Sequence, residues 1–278
     1  MSISVLMSVY KAEVATFLDR ALQSVWTDQT LKPNEIILVE DGTLGKELSN
    51  IIMKWKSLLG DKLIILHNET NIGLTKSLNK GLKYVKSEYI ARMDSDDISH
   101  PKRFERQQNF LNKHPEVSIV GGSLQEFDAN NPCLSIRHYP LHNSDVLKYI
   151  FKASPLAHPT VMMRRSLFTP ELQYNEKYRT SQDIALWYDV LCAGHQISNI
   201  EDITIYFRRD NEVFKRRSRE KAYNEFKIYI NGISRLYGIF TWKYIYPIAR
   251  FCFRLLPVFA VKQIYGSSIR KIVLEKIK

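Results

Sequence analysis

In Tyr89-Ile90-Ala91-Arg92-Met93-Asp94-Ser95-Asp96-Asp97-Ile98, a short apolar run ends abruptly in three carboxylates within four positions. Tyr89 to Met93 reads as a buried strand, because its apolar residues are bounded by polar turn residues on both sides. Clustered carboxylates repel one another unless a cation offsets them, so an acidic cluster at a strand end suggests a divalent ion. Open α/β sheets bind ligands just outside the carboxyl ends of their strands, where this cluster would lie. The alternative is a helix N-terminus, with Asp97 or Ser99 capping a helix that follows Pro101. Capping accounts for one carboxylate and not for three.

Upstream, Ile3 to Val9 has no charged residue, as expected for a strand covered on both faces. Leu18, Ala21, Leu22 and Val25 then recur at helical spacing. Glu35 to Val39 forms a second strand and ends in Glu40-Asp41-Gly42-Thr43, another carboxylate at a strand's carboxyl end. A helix over 44–59, a strand over 63–66 and a helix over 75–85 lead back to the acidic stretch. Strand and helix alternate throughout, which implies a doubly wound, mainly parallel, Rossmann-like sheet.

Downstream, the pattern gives a helix from Pro101 to Leu111 and a strand over 117–121. An irregular segment follows, with a short antiparallel strand at 137–139 and a helix over 143–151. A strand over 158–165 is entered through a turn. Ser181 is the natural cap of a helix that carries Ile184, Leu186, Trp187, Val190 and Leu191, with Asp183 in its first turn. Ile203 to Phe207 is a late strand ending at Arg208-Arg209. The remainder reads as helical, broken near Gly232, Gly238, Pro247 and Pro257.

The 278 residues carry a net charge of +11 that is unevenly spread. Thr204 to Lys278 hold 17 Lys and Arg against 5 Asp and Glu, while the preceding 203 residues hold 23 against 24. The basic balance therefore belongs to the C-terminal quarter. Aromatic and aliphatic residues are interleaved with those charges, which favours an anionic membrane surface. A nucleic-acid binder would be expected to line a groove with charge and stacking aromatics, not to confine charge to a tail behind an acidic cleft. The longest uncharged run in the tail, Leu255 to Val261, is far short of the roughly 20 residues that span a bilayer. Cys133, Cys192 and Cys252 have neither metal spacing nor an even count, so a reducing compartment is expected. The N-terminus lacks the basic region of a signal peptide.

Taken together, the segments 4–10, 37–43, 71–82, 94–97 and Gln182-Asp183-Ile184-Ala185-Leu186-Trp187 resemble those of the family 2 glycosyltransferases of bacteria. The resemblance covers roughly residues 2–210. Within that family it is nearest to enzymes that build O-antigen and capsule repeat units on a polyprenyl diphosphate lipid. It implies a GT-A fold over 1–210, with a nucleotide-binding half at 1–100 and an acceptor-binding half at 101–210. Residues 211–278 would be a helical, basic, amphipathic extension on the membrane surface.

The resemblance also implies an inverting, metal-dependent transfer of a hexose, galactose or glucose, from a UDP-sugar. The acceptor would be an N-acetylhexosamine on the lipid diphosphate, at the cytoplasmic face of the membrane. Asp96, with Asp94, would ligate Mn²⁺ or Mg²⁺, and Asp94 and Ser95 would face the nucleotide. Asp41 would hydrogen-bond the uracil ring, with Ser8 and Tyr10 nearby and Gly42 allowing close backbone approach. Asp97 would support the site. Asp183 would be the general base; the family usually has Glu-Asp at this point, and here it is Gln182-Asp183. Lys76 and Arg208 are implied at the phosphates, and His158 near the acceptor and sugar pocket. The Gln-x-x-Arg-Trp element of processive synthases is missing, which implies transfer of one sugar. A sugar-1-phosphate nucleotidylyltransferase would need a Gly-rich loop after the first strand, and Tyr10-Lys11-Ala12-Glu13 has no glycine.

Overall fold

A computed structural model describes residues 1–209 and 219–255. β1 (Ile3–Val9) pairs in parallel with β2 (Glu35–Asp41), from Ser4 opposite Glu35 to Val9 opposite Glu40. β3 (Leu63–Asn68) extends the sheet beyond β2, and β4 (Tyr89–Arg92) flanks β1 on its other side. The crossovers are α1 (Ala15–Val25), α2 (Lys46–Leu59) and α3 (Leu74–Leu82).

Side chains alternate across these strands, and both faces are covered. Leu6, Ile37, Val39 and Ile90 pack under α3 in one core. Val5, Met7, Ile36 and Leu38 meet Leu18 and Leu22 of α1 and Ile52 and Trp55 of α2 in the other. The uncharged character of β1 is thus explained by burial on two sides.

β5 (Ile98–Ser99), α4 (Arg103–Lys113), β6 (Val117–Phe127), β7 (Ser135–Arg137) and α5 (Asn143–Tyr149) follow. Then come β8 (Met162–Arg164), α6 (Gln182–Cys192) and β9 (Gln196–Arg208). The strand order is β3-β2-β1-β4-β8-β6-β9-β5, with β7 on β6. β8 is antiparallel to both β4 and β6, whereas β6 and β9 are parallel. The architecture is the α/β sheet of the GT-A fold, mostly parallel and curled, with a helical C-terminal part. β5 is five residues beyond β4 in sequence yet pairs antiparallel with β9 at the far edge. The acidic stretch is therefore the chain's crossing from one part of the sheet to another.

Several local expectations are corrected. β6 and β9 are longer than their apolar runs, because Ser118, Ser123, Ser198 and Asn199 are buried within them. Neither Asp97 nor Ser99 caps α4: the residue before that helix is Lys102, with no side-chain cap. Ser181 precedes α6 in the left-handed region (φ 61°) and makes no capping bond. Among the described residues, the C-terminal helices are α7 (Arg219–Tyr237) and α8 (Ile245–Leu255). Gly232 does not break α7; it lets the helix lie against the Tyr188 ring, where a Cβ would come within 2.3 Å. Gly238 (φ 84°) does end α7. Pro247 lies in the first turn of α8, where a missing amide hydrogen costs little. The expected break at Pro257 and the run to Val261 fall outside the described residues.

Candidate active site

The crossing between β4 and β5 gathers Asp94, Asp96 and Asp97, with one carboxylate oxygen from each lying within 4.8 Å of the others. Two of these carboxylates are supported differently. Asp94 accepts a hydrogen bond from the Arg92 guanidinium. One oxygen of Asp97 accepts from the backbone N–H of Arg208 at 2.9 Å, while its other oxygen is buried without a partner. Arg208 also donates from Nε to the Asp96 carbonyl at 2.9 Å, and its guanidinium lies over Phe17 and Phe127, 3.8 and 4.7 Å from the ring centres. The end of β9 is thereby pinned to the acidic turn. Ser95 is buried and donates to Glu13, at the entrance to α1.

Burial pushes the Asp96 carboxyl up to about 6, and the charges of Asp94 and Glu13 add to it. Asp97 is raised well above the usual carboxylate range by burial and then by Asp94 and Asp96. Such a set binds protons readily when no cation is present, and a divalent cation would relieve the same repulsion. Oxygen donors this close, one of them orphaned, fit a hard divalent ion.

Arg92 was not singled out by its sequence context, although a lone arginine in an apolar strand is a flag, since arginine is almost never fully buried unless paired. It is 2% exposed, and its Nε and Nη1 have no partner. Burial works against its charge, but the Asp94 carboxylate outweighs that and holds the guanidinium protonated. Its field also reaches His158, Asp183 and Tyr174. His158 is buried and pairs through Nε2 with the Tyr174 hydroxyl at 2.8 Å. Trp187 stands edge-on, 6.0 Å from the His158 ring centre. Burial, and then Arg92, depress His158 well below its usual range, so the imidazole is neutral. Tyr174 and Glu13 are further site residues that no sequence pattern marked.

Asp183 is half-buried in the first turn of α6. Its carboxyl is raised by burial, against the lowering effects of the Ile184 amide and of Arg92. The helix N-terminus alone favours the charged form, but desolvation outweighs it. α6 is held in place by the preceding segment: Thr75 and Asn79 of α3 donate to the carbonyls of Tyr178 and Tyr174, at 2.7 and 2.8 Å.

At the end of β2, both carboxylate oxygens of Asp41 are engaged. They accept from Asn68 Nδ2 at 3.1 Å and from the backbone amides of Ile72 and Gly73 at 2.8 and 3.0 Å. Asp41 thus folds the 69–73 loop over the end of the sheet. Gly42 (φ 91°) is required there, since a Cβ would come within 2.8 Å of the Asn71 nitrogen. Ser8 is half-buried at the end of β1, Tyr10 is exposed beyond it, and Lys76 is exposed on the first turn of α3.

Residues 4–169 match the model of glycosyl transferase family 2. The chain is 34% identical, over 96% of its length and 96% of the relative's, to the UDP-Gal:alpha-D-GlcNAc-diphosphoundecaprenol beta-1,3-galactosyltransferase of Escherichia coli. It is 32% identical to the amylovoran biosynthesis glycosyltransferase AmsE of Erwinia amylovora, over 95% and 98% of the two chains. Among solved structures, residues 1–349 of Staphylococcus aureus TarS with UDP-GlcNAc superpose with a TM-score of 0.62 at 18% identity, covering 92% of this chain and 82% of that one. The chain spans about half of longer TarS, 49% of that chain. An acidic turn at the mouth of a GT-A sheet, and relatives matched nearly end to end, place this chain in glycosyl transferase family 2.

Proposed function

We propose that the protein transfers one hexose, galactose or glucose, from a UDP-sugar to an N-acetylhexosamine on a polyprenyl diphosphate, with inversion, in the synthesis of O-antigen or a related surface polysaccharide. The observation that carries this reading is the Asp94, Asp96 and Asp97 cluster, braced by Arg92 and Arg208. The relative from E. coli is named for such a transfer from UDP-Gal to a GlcNAc-diphosphoundecaprenol.

In this mechanism Asp96 and Asp94 would hold Mn²⁺ or Mg²⁺, which when bound would offset the charge on the leaving diphosphate. Asp183 accepts the proton of the acceptor hydroxyl as its oxygen attacks the anomeric carbon. The bond from that carbon to the diphosphate breaks, and UDP leaves. A base with a raised pKa is the better proton acceptor near neutral pH. Arg208 and Lys76 face the diphosphate. The loop ordered by Asp41 and Gly42, with Ser8, Tyr10, Asp94 and Ser95, receives the nucleoside, and His158 shapes the sugar pocket. A single base opposite the leaving group inverts the anomeric centre, so an α-linked donor gives a β-glycoside. Work on a lipid-linked acceptor would place the protein peripherally on the cytoplasmic face of the membrane; no helix among the described residues is long and apolar enough to cross one.

A panel of UDP-sugars with a synthetic lipid-diphosphate acceptor and Mn²⁺ tests the reading. UDP release and a β-linked product by NMR are expected. Pyrophosphate release, an α-linked product, or full activity in EDTA would overturn it.

A further inference from the structure

α8 buries Pro247 and stacks Phe251 on Phe226, yet it also presents an apolar stripe to solvent. Its cations face the protein: Arg250 and Arg254 pair with the buried carboxylate of Glu225 at 3.0 and 2.6 Å. Its outward positions are Ile245, Ile248, Cys252 and Leu255, all exposed and none charged. The spacing of three, four and three residues keeps them on one side of the helix. The turn leading into α8 continues this surface, with Phe240 96% and Trp242 64% exposed. A surface helix in water normally presents its arginines outward, and desolvating them on Glu225 is costly.

Cations border this apolar surface. Lys243 Nζ lies 5.3 Å from the Trp242 ring centre and 4.6 Å from that of Tyr237, and Lys152 Nζ lies 5.8 Å from that of Tyr246. Aromatic rings flanked by lysines, with aliphatic residues beyond them, are the composition that inserts at a lipid headgroup boundary. From Ile239 to the C-terminus the sequence holds 8 Lys and Arg against 1 Glu. Two copies of a surface bordered by Lys152 and Lys243, each followed by so basic a sequence, would repel each other, whereas an anionic leaflet attracts it.

We infer that the outward stripe of α8 and the 239–242 turn form a docking surface that inserts into an anionic bilayer. The inference builds on the lipid-linked acceptor of the proposed function, but its evidence is the surface itself.

Cys252 on the stripe and Cys133 elsewhere are both exposed thiols, which gives a probe and an internal control. In the full-length wild type, maleimide labelling followed by peptide mapping should find Cys252 reactive in buffer. Vesicles of phosphatidylcholine and phosphatidylglycerol should slow Cys252 by about tenfold or more, a protection of about 1.4 kcal/mol, and leave Cys133 unchanged. The triple variant Phe240→Ser, Ile245→Ser, Ile248→Ser should lose co-sedimentation with the same vesicles and keep the oligomeric state of the wild type. It should also keep its turnover on a short, water-soluble acceptor diphosphate. Cys252 already protected in buffer would mean that a second copy, or the chain's own residues 256–278, covers the stripe, and would overturn the inference. So would unprotected Cys252 in vesicles, or equal sedimentation of variant and wild type. If Cys252 is protected and yet no lipid-linked acceptor supports transfer, the docking surface stands and the substrate reading falls.

Discussion

Three carboxylates with oxygens within 4.8 Å of one another are tolerable only if they share protons or a cation, and that choice can be measured. Burial holds Asp96 at about 6 in the folded protein, above the ordinary value of about 3.9 in an unfolded chain. The folded state therefore binds the extra proton, so the contribution of Asp96 to metal-free stability is greatest at low pH and falls as pH rises through the window from roughly 4 to 6. Asp97, raised in the same direction, adds to the trend. Melting temperatures in EDTA across this range should fall with pH. Asp96→Asn should flatten the curve, and Mn²⁺ should stabilise the wild type most above pH 6. A curve unchanged by Asp96→Asn would remove the repulsion on which the metal assignment rests. Asp183 gives a second test. Replacement by Asn keeps the shape and removes the proton acceptor, so kcat should drop by about 10²–10⁴-fold. UDP affinity should be unchanged, because the residues proposed to receive the nucleotide are elsewhere. The acidic limb of the wild-type pH–rate profile should lie above the ordinary carboxylate range, with activity lost as pH falls through the raised pKa of Asp183. Near-normal turnover in Asp183→Asn would exclude it as the base.

Elements show where pattern alone suffices and where packing takes over. β1, β2 and β4 were legible because a strand buried on both faces has no reason to alternate polar residues. The places of the acidic turn, after a strand, and of Asp183, in the first turn of a helix, were legible because strand ends and helix starts carry sequence signals of their own. Arg92 was hidden in the same run, since its role depends on a charge two residues on and on groups brought up by β8 and α6. Glu13 and Tyr174 were hidden for a similar reason: a hydroxyl 82 residues away gives Glu13 its place, and a histidine buried with it gives Tyr174 its own. Gly232 was misread because helix propensity counts a glycine as a break, whereas here it is a contact. That correction is testable. Gly232→Ala gains helix propensity of about 1 kcal/mol at most. It also drives a methyl group to within 2.3 Å of Tyr188, a ring that is 1% exposed and packs edge-on against Tyr229. Overpacking typically costs about 1–3 kcal/mol, so the net effect should be destabilising and the melting temperature should fall. A variant more stable than wild type would restore the view of Gly232 as a mere interruption.

The whole molecule is a question of whether residues 1–100 and 101–210 fold separately. A single sheet crosses that boundary, since β4 of the first part pairs with β8 of the second. Beneath the junction lies Arg103, 0% exposed. Its Nη2 donates to the carbonyls of Arg92 and Val161, at 2.8 and 3.1 Å, one on each side. Its Nε donates to Gln107 at 3.0 Å, and Gln107 in turn donates to the carbonyls of Thr160 and Val120, at 2.7 and 3.1 Å. Burial lowers the guanidinium to about 9, still protonated at neutral pH, so the donors remain in place. Two halves stitched in this way should unfold together. Denaturation followed by near-ultraviolet circular dichroism and by hydrogen exchange in β2 and β6 should give one transition with one midpoint. Arg103→Leu would remove the donor from the buried Arg92 carbonyl, at about 1–3 kcal/mol, whereas the Val161 carbonyl keeps the Arg92 amide at 3.0 Å. Removing a buried cation offsets part of this loss, so a net destabilisation of about 1 kcal/mol is expected. The important feature is where that loss appears: the midpoints reported from β2 and from β6 should move together. Two separated transitions in the wild type, or a variant in which only β6 loses protection, would mean that residues 1–100 and 101–210 are independent domains that merely touch at β4 and β8.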